Sequence, residues 1–94
     1  ERAGVGVLGG GVMGAGIASA FAGSGFPVVV LEPQAAVRER ATAHIRKWIE
    51  RKRSLADSER RKALDSVIVT EDLSRLSNTQ VVIEAIVEDL EVKR

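Results

Sequence analysis

The feature that most constrains this chain is the run Gly9-Gly10-Gly11-Val12-Met13-Gly14, set between the apolar stretch Val5-Gly6-Val7-Leu8 and the small-residue stretch Ala15-Gly16-Ile17-Ala18. Ordered glycine loses more conformational freedom than any other residue, so such a cluster implies an unusual turn or something that must approach the main chain closely. The flanking pattern supplies the context. Residues 4 to 8 and 27 to 32 are short, β-branched and apolar on both faces, as buried parallel strands are. Between them Val12 to Ala22 reads as a helix, with Gly23 and Gly25 placed to stop it. Val37, Ala41, Ile45, Trp48 and Ile49 then recur at helical spacing with charges elsewhere, which predicts a long amphipathic helix. A shorter helix is expected from a cap at Asp57 to about Leu64, with Glu59 in its first turn, followed by a brief strand over Val67 to Val69. A last buried strand is expected over Val81 to Ile86, and Glu88 onward reads as the start of an acid-led helix. Strands and helices alternating at these lengths imply an α/β fold, a parallel sheet with right-handed crossovers and flanking helices.

Composition narrows the partners. With 94 residues the chain suffices for one small domain. A net charge of +1 argues for neither nucleic acid nor a membrane surface, and no apolar run reaches the roughly 18 residues of a membrane span. No cysteine is present, which excludes a disulfide framework, a zinc–thiolate site and a cysteine nucleophile in this chain. That fits a reducing compartment, so a cytoplasmic location is expected, or an organelle matrix in a eukaryote.

Gly9, Gly11 and Gly14 form GxGxxG between a strand and a helix, and the second expected strand ends on Glu32, eighteen residues after Gly14. The conjunction is far more specific than the glycines alone, and it is the pattern of a Rossmann-type dinucleotide site. Gly9 would allow the tight turn, Gly11 would let a pyrophosphate approach the main chain, and Gly14 would let the helix pack close to the strand. The helix N-terminus offers N–H groups and partial positive charge to the phosphates. Glu32 would accept hydrogen bonds from the adenosine ribose hydroxyls and repel a 2′-phosphate, which favours NAD over NADP. The plainer alternative is a glycine-rich turn in some other α/β domain.

The run VGVLGGGVMGAGIASAFAGSGFPVVVLEP, with VVIEAIVEDLEVKR at the end, resembles the N-terminal NAD-binding domain of the L-3-hydroxyacyl-CoA dehydrogenases. The resemblance implies that residues 1–94 are the N-terminal part of one Rossmann domain, its first four strands, with a C-terminal substrate and dimerisation domain outside the chain. It implies NAD over Gly9, Gly10, Gly11, Val12, Met13 and Gly14, with Ile86, Val87 and Glu88 along the nicotinamide half and Lys93 reaching toward the cofactor. The family's acid after the second strand is often Asp; here it is Glu32, with a longer reach. The implied activity is reversible hydride transfer between an L-3-hydroxyacyl-CoA and NAD, in a homodimer formed through the missing domain. Plainer roles stand beside these: Met13 as a core filler, Glu88 serving the helix dipole, Lys93 as a solvated charge.

No residue matches the family's histidine base or its glutamate partner, so catalysis is not expected of these residues alone. His44, the one histidine, is followed by Ile45-Arg46-Lys47 in mid-helix and is expected to be a surface or partly buried helix residue. Trp48 is expected in the core. Arg46, Lys47, Arg51, Lys52, Arg53, Arg60, Arg61 and Lys62 read either as a solvated face or as a surface for CoA phosphates. Glu84 is a charge in an apolar strand with no evident partner. A chain ending at Arg94 is expected to leave the last strand with an apolar, unpaired edge that invites association. Two rivals remain: another NAD-dependent β-hydroxyacid dehydrogenase, of gulonate or hydroxyisobutyrate type, and a non-catalytic nucleotide-binding module.

Overall fold

The computed structural model describes residues 3–85. Their order is β1 (Val5–Leu8), α1 (Val12–Gly23), β2 (Val28–Leu31), α2 (Ala35–Arg51), α3 (Asp57–Asp65), β3 (Val67–Thr70), a 3₁₀ helix (Leu73–Asn78) and β4 (Val81–Glu84). The strands form one sheet of order β3-β2-β1-β4. Every pairing is parallel: Val5 lies opposite Val28 on one side and Val81 on the other, and Val28 lies opposite Val67. The chain thus steps outward from β1 to β3 and returns to lay β4 on the free side of β1. That return is the order reversal of a Rossmann half-sheet.

The sheet's alternation sets the core. Val5, Val7, Val28 and Val30 share one face, are buried, and pack in a single cluster with Ala15, Ala18 and Ala22 of α1 and Ala41, Ile45 and Ile49 of α2. Alanine at these α1 positions lets the helix approach the sheet closely. Ser19, fully buried among them, donates its hydroxyl to the Ala15 carbonyl at 2.7 Å and so carries no unpaired polar group into the core.

The stop expected around Gly23 and Gly25 has a definite geometry. The helix runs through Gly23, Gly25 takes φ +95°, its N–H donates to the Ala22 carbonyl and the Phe26 N–H donates to the Phe21 carbonyl, both at 3.0 Å. These are the two bonds of a Schellman motif. The apolar contact that accompanies such motifs is made by Phe21 and Phe26, edge to face at 5.4 Å.

Two expectations are corrected. Asp57 is the first residue of α3 and not its cap: Ala56 stands at the cap, and the Glu59 carboxylate accepts the Ala56 N–H at 2.7 Å. Asp57 instead pairs with Arg60 one turn on, at 3.0 Å. The last strand ends at Glu84 and is not buried, with Val81 49% and Val82 51% exposed, because among the described residues it has a neighbour only in β1. Its apolar period registers hydrophobicity, not the presence of a second neighbour. Glu84 sits exposed at the strand's end opposite Leu8, where a charge stays hydrated. The 3₁₀ helix was not anticipated. Asp72 caps it by accepting the Ser74 N–H at 3.0 Å and the Ser74 hydroxyl at 2.7 Å. Ser74's hydroxyl, and then its N–H, hold the Asp72 carboxyl below its usual pKa.

Candidate functional site

The carboxyl ends of β1, β2 and β4 converge on the glycine turn. The Gly9 N–H donates to the Leu31 carbonyl at 2.8 Å, and the Ala85 N–H to the Leu8 carbonyl at 3.0 Å, so the turn lies where the strand order reverses. Ligand crevices of open α/β sheets form at this position. The three motif glycines answer to different demands. Gly9 has φ +102°, a conformation that side-chain-bearing residues rarely adopt. A Cβ on Gly14 would land on the Gly9 carbonyl oxygen. Both are required by the protein itself.

Gly11 is different. Its φ of −68° and ψ of −169° suit any residue, and a Cβ there would meet nothing within 4 Å. No contact in the described fold demands glycine at this position. The space above it is open, and it faces the start of α1, where no side chain caps the helix. A pyrophosphate fits such a surface, since the first N–H groups of a helix lack intrahelical acceptors and carry partial positive charge. Val12 and Met13 stand beside it, 85% and 51% exposed, so Met13 is not a core filler.

Glu32 follows β2 and is only 8% exposed. Its N–H extends the sheet by donating to the Thr70 carbonyl at 2.8 Å. Its Oε1 accepts the Gly10 N–H at 2.7 Å and its Oε2 accepts the Gln34 N–H at 3.1 Å. The acid is therefore fastened to the glycine turn, across 22 residues of sequence. An ionised carboxylate has about four acceptor sites, so these two bonds leave about two unused.

Ile86, Val87, Glu88 and Lys93, and the helix expected from Glu88, lie outside the described residues. The chain does reach the turn just before them, since a Cβ on Gly9 would come 3.2 Å from the Ala85 carbonyl oxygen. His44 is exposed on α2 and lines, with Lys47, Trp48, Arg51 and Lys52, a shallow concavity of about 470 Å³ that includes no residue of the turn. Trp48 is half-buried: its ring packs on Gly23, and the Lys52 ammonium lies 5.0 Å from the ring centroid. Of the basic set, Arg46, Lys47, Arg51, Arg53, Arg61 and Lys62 are exposed. Arg60 is not a solvated charge. It donates to the carbonyls of Ile49, Lys52 and Leu55 at 3.3, 2.8 and 3.0 Å, closing the connection from α2 to α3. Sequence reasoning also passed over Arg38, which crosses the turn holding Glu32. Both arginines bind main-chain carbonyls, which leave no signature in sequence. Among the described residues no group of three or more His, Cys, Asp or Glu is placed to hold a metal.

A parallel sheet of this order, a glycine turn at its reversal and a buried acid after β2 define a Rossmann-type dinucleotide-binding domain. Within that class, the chain belongs to the family described as 3-hydroxyacyl-CoA dehydrogenase, NAD binding domain, which it matches over residues 4–94, and its cofactor is NAD. It is 45% identical over 92 residues to 3-hydroxybutyryl-CoA dehydrogenase of Mycobacterium tuberculosis strain H37Rv, covering 95% of this chain and 32% of that protein. The crystal structure of M. tuberculosis FadB2 is similar with TM-score 0.79 and 44% identity, covering 95% of this chain and 32% of that one. The 3-hydroxybutyryl-CoA dehydrogenase structure from Escherichia coli has TM-score 0.81 and 32% identity, covering 99% of this chain and 20% of that one. The chain thus spans 32% of the length of the curated relatives it matches.

Proposed function

We propose that the protein carrying this chain is an NAD-dependent dehydrogenase interconverting L-3-hydroxyacyl-CoA and 3-oxoacyl-CoA, and that this chain holds the cofactor. The observation that carries the reading is the open surface over Gly11, on a turn whose other two motif glycines the fold itself demands and to which a buried acid is fastened. In this reading the N–H groups at the start of α1 bind the pyrophosphate, Val12 and Met13 flank it, and Glu32 accepts from the adenosine ribose. Ile86, Val87, Glu88 and Lys93 are proposed along the nicotinamide half. Bound NAD supplies a hydride acceptor. The hydroxyl proton must leave to a general base. His44, on the outer face of α2, is not proposed for that role. The two M. tuberculosis and E. coli relatives named for 3-hydroxybutyryl-CoA make a short acyl chain the first to test.

The test is turnover by the full-length protein of acetoacetyl-CoA with NADH. Consumption of NADH dependent on the CoA ester is expected, with NADPH a poor substitute. Tight NAD binding without turnover of any acyl-CoA would instead indicate a nucleotide-binding module. Oxidation of 3-hydroxyisobutyrate or gulonate, with no activity on the CoA ester, would indicate another β-hydroxyacid dehydrogenase.

A further inference from the structure

We propose that Arg38 is a positioning residue for Glu32, and through it a determinant of the preference for NAD over NADP; this rests on the cofactor reading above. Arg38 lies one turn into α2, where its N–H donates to the Gln34 carbonyl at 2.9 Å. Its side chain turns back over the connection from β2. Nη1 donates to the carbonyls of Glu32 and Pro33, each at 2.9 Å, and to Glu71 Oε1 at 3.2 Å. Glu71 is the first residue after β3. The guanidinium therefore ties the loop after β2 to the loop after β3, and it is largely covered, with 23% of the side chain exposed.

The consequence for Glu32 follows from what else holds it. Its N–H is fixed on Thr70, its carboxylate is fixed between Gly10 and Gln34, and its carbonyl is fixed by Arg38. A glutamate has one more rotatable bond than the aspartate often found at this position, so its carboxylate depends more on a fixed main chain. Charge-assisted bonds from Arg38 supply that fixity on the α2 side. Both of Glu32's proposed tasks, accepting ribose hydroxyls and repelling a 2′-phosphate, require the carboxylate at one place. Loosening its main chain weakens both together. A purely structural Arg38 would lower thermal stability and leave the ratio of NADP to NAD dissociation constants unchanged.

The experiment titrates the full-length protein with NAD and with NADP, for the parent, Arg38→Ala, Glu71→Gln, Glu32→Ala and the double variant Glu32→Ala/Arg38→Ala. Arg38→Ala is expected to weaken NAD and to lower the NADP-to-NAD ratio by about three- to tenfold, the scale of a residue coupled to its neighbour. Glu71→Gln, at a well-exposed position, is expected to lower it by about twofold, as for a surface ion pair. Once Glu32 is alanine, removing Arg38 should change the ratio by less than about twofold, because the two act on one carboxylate. An Arg38→Ala protein with the parent's ratio overturns the proposal, as does a double variant whose losses simply add. Should Arg38→Ala fail to fold, Glu71→Gln decides: an unaltered ratio overturns it. A parent that does not prefer NAD is a different result, and removes the cofactor reading itself.

Discussion

Within the turn, the fold demands glycine at Gly9 and Gly14 but not at Gly11, and substitution should separate them. Gly14→Ala drives a methyl into the Gly9 carbonyl and should destabilise the cofactor-free protein by about 1 to 3 kcal/mol, the cost of overpacking. Gly11→Ala projects into open space and should cost less, about 0.5 to 1 kcal/mol for alanine at the cap of α1. Thermal unfolding of the two variants without NAD checks the contrast; equal destabilisation would contradict it. Glu32→Ala should weaken NAD by about 1 to 3 kcal/mol, the scale of a charged hydrogen-bond acceptor, and calorimetric affinities for NAD and NADP both equal to the parent's would remove its assignment. The motif and the acid were legible in sequence because their chemistry resides in residue type and spacing. The tasks expected of Gly9 and Gly14, a tight turn and a close approach, are the ones the fold sets them; the open space over Gly11 was not legible, since it depends on where a Cβ would point. Nor was the bond from Gly10 to Glu32, which requires β1 and β2 to lie side by side.

At the level of elements, the ends carry the testable detail. Gly25→Ala must hold a side chain at φ +95° and should cost about 1 to 2 kcal/mol in denaturant unfolding. Arg60→Ala removes the donor to three carbonyls at the α2–α3 connection and should cost about 2 kcal/mol, the size of a charged hydrogen bond rather than the sum of several. The 3₁₀ helix should respond to acid. Asp72's pKa is lower folded than unfolded, so its contribution is present above the unfolded value and is lost as pH falls through the folded one. Amide exchange at Ser74 should therefore quicken relative to its neighbours in that acid range, and Asp72→Asn should abolish the pH dependence. The main strands and helices were legible because burial on one face writes a period into sequence. The 3₁₀ helix buries no residue and so writes none. Asp57 misled for a related reason: its residue type suits a cap, but its carboxylate is engaged by Arg60 and the cap bond belongs to Glu59.

On the scale of the whole molecule, one geometric fact organises the rest: β4 returns to the far side of β1, so the turn after β1 is the point from which neighbouring connections diverge. Alternating strands and helices foretold a parallel sheet, but the period of a strand does not say how many neighbours it has, and the exposure of β4 followed only from its place in the order. The claim on which everything else depends is that the open surface above Gly11 receives the pyrophosphate of NAD. It is tested most directly by isothermal calorimetry of the full-length protein and its Gly11→Val variant with NAD, alongside thermal unfolding of both. The backbone at Gly11 accepts valine and nothing lies within 4 Å of its Cβ, so the variant should unfold within about 1 kcal/mol of the parent and show no heat of NAD binding. A folded Gly11→Val protein that binds NAD as tightly as the parent would contradict it.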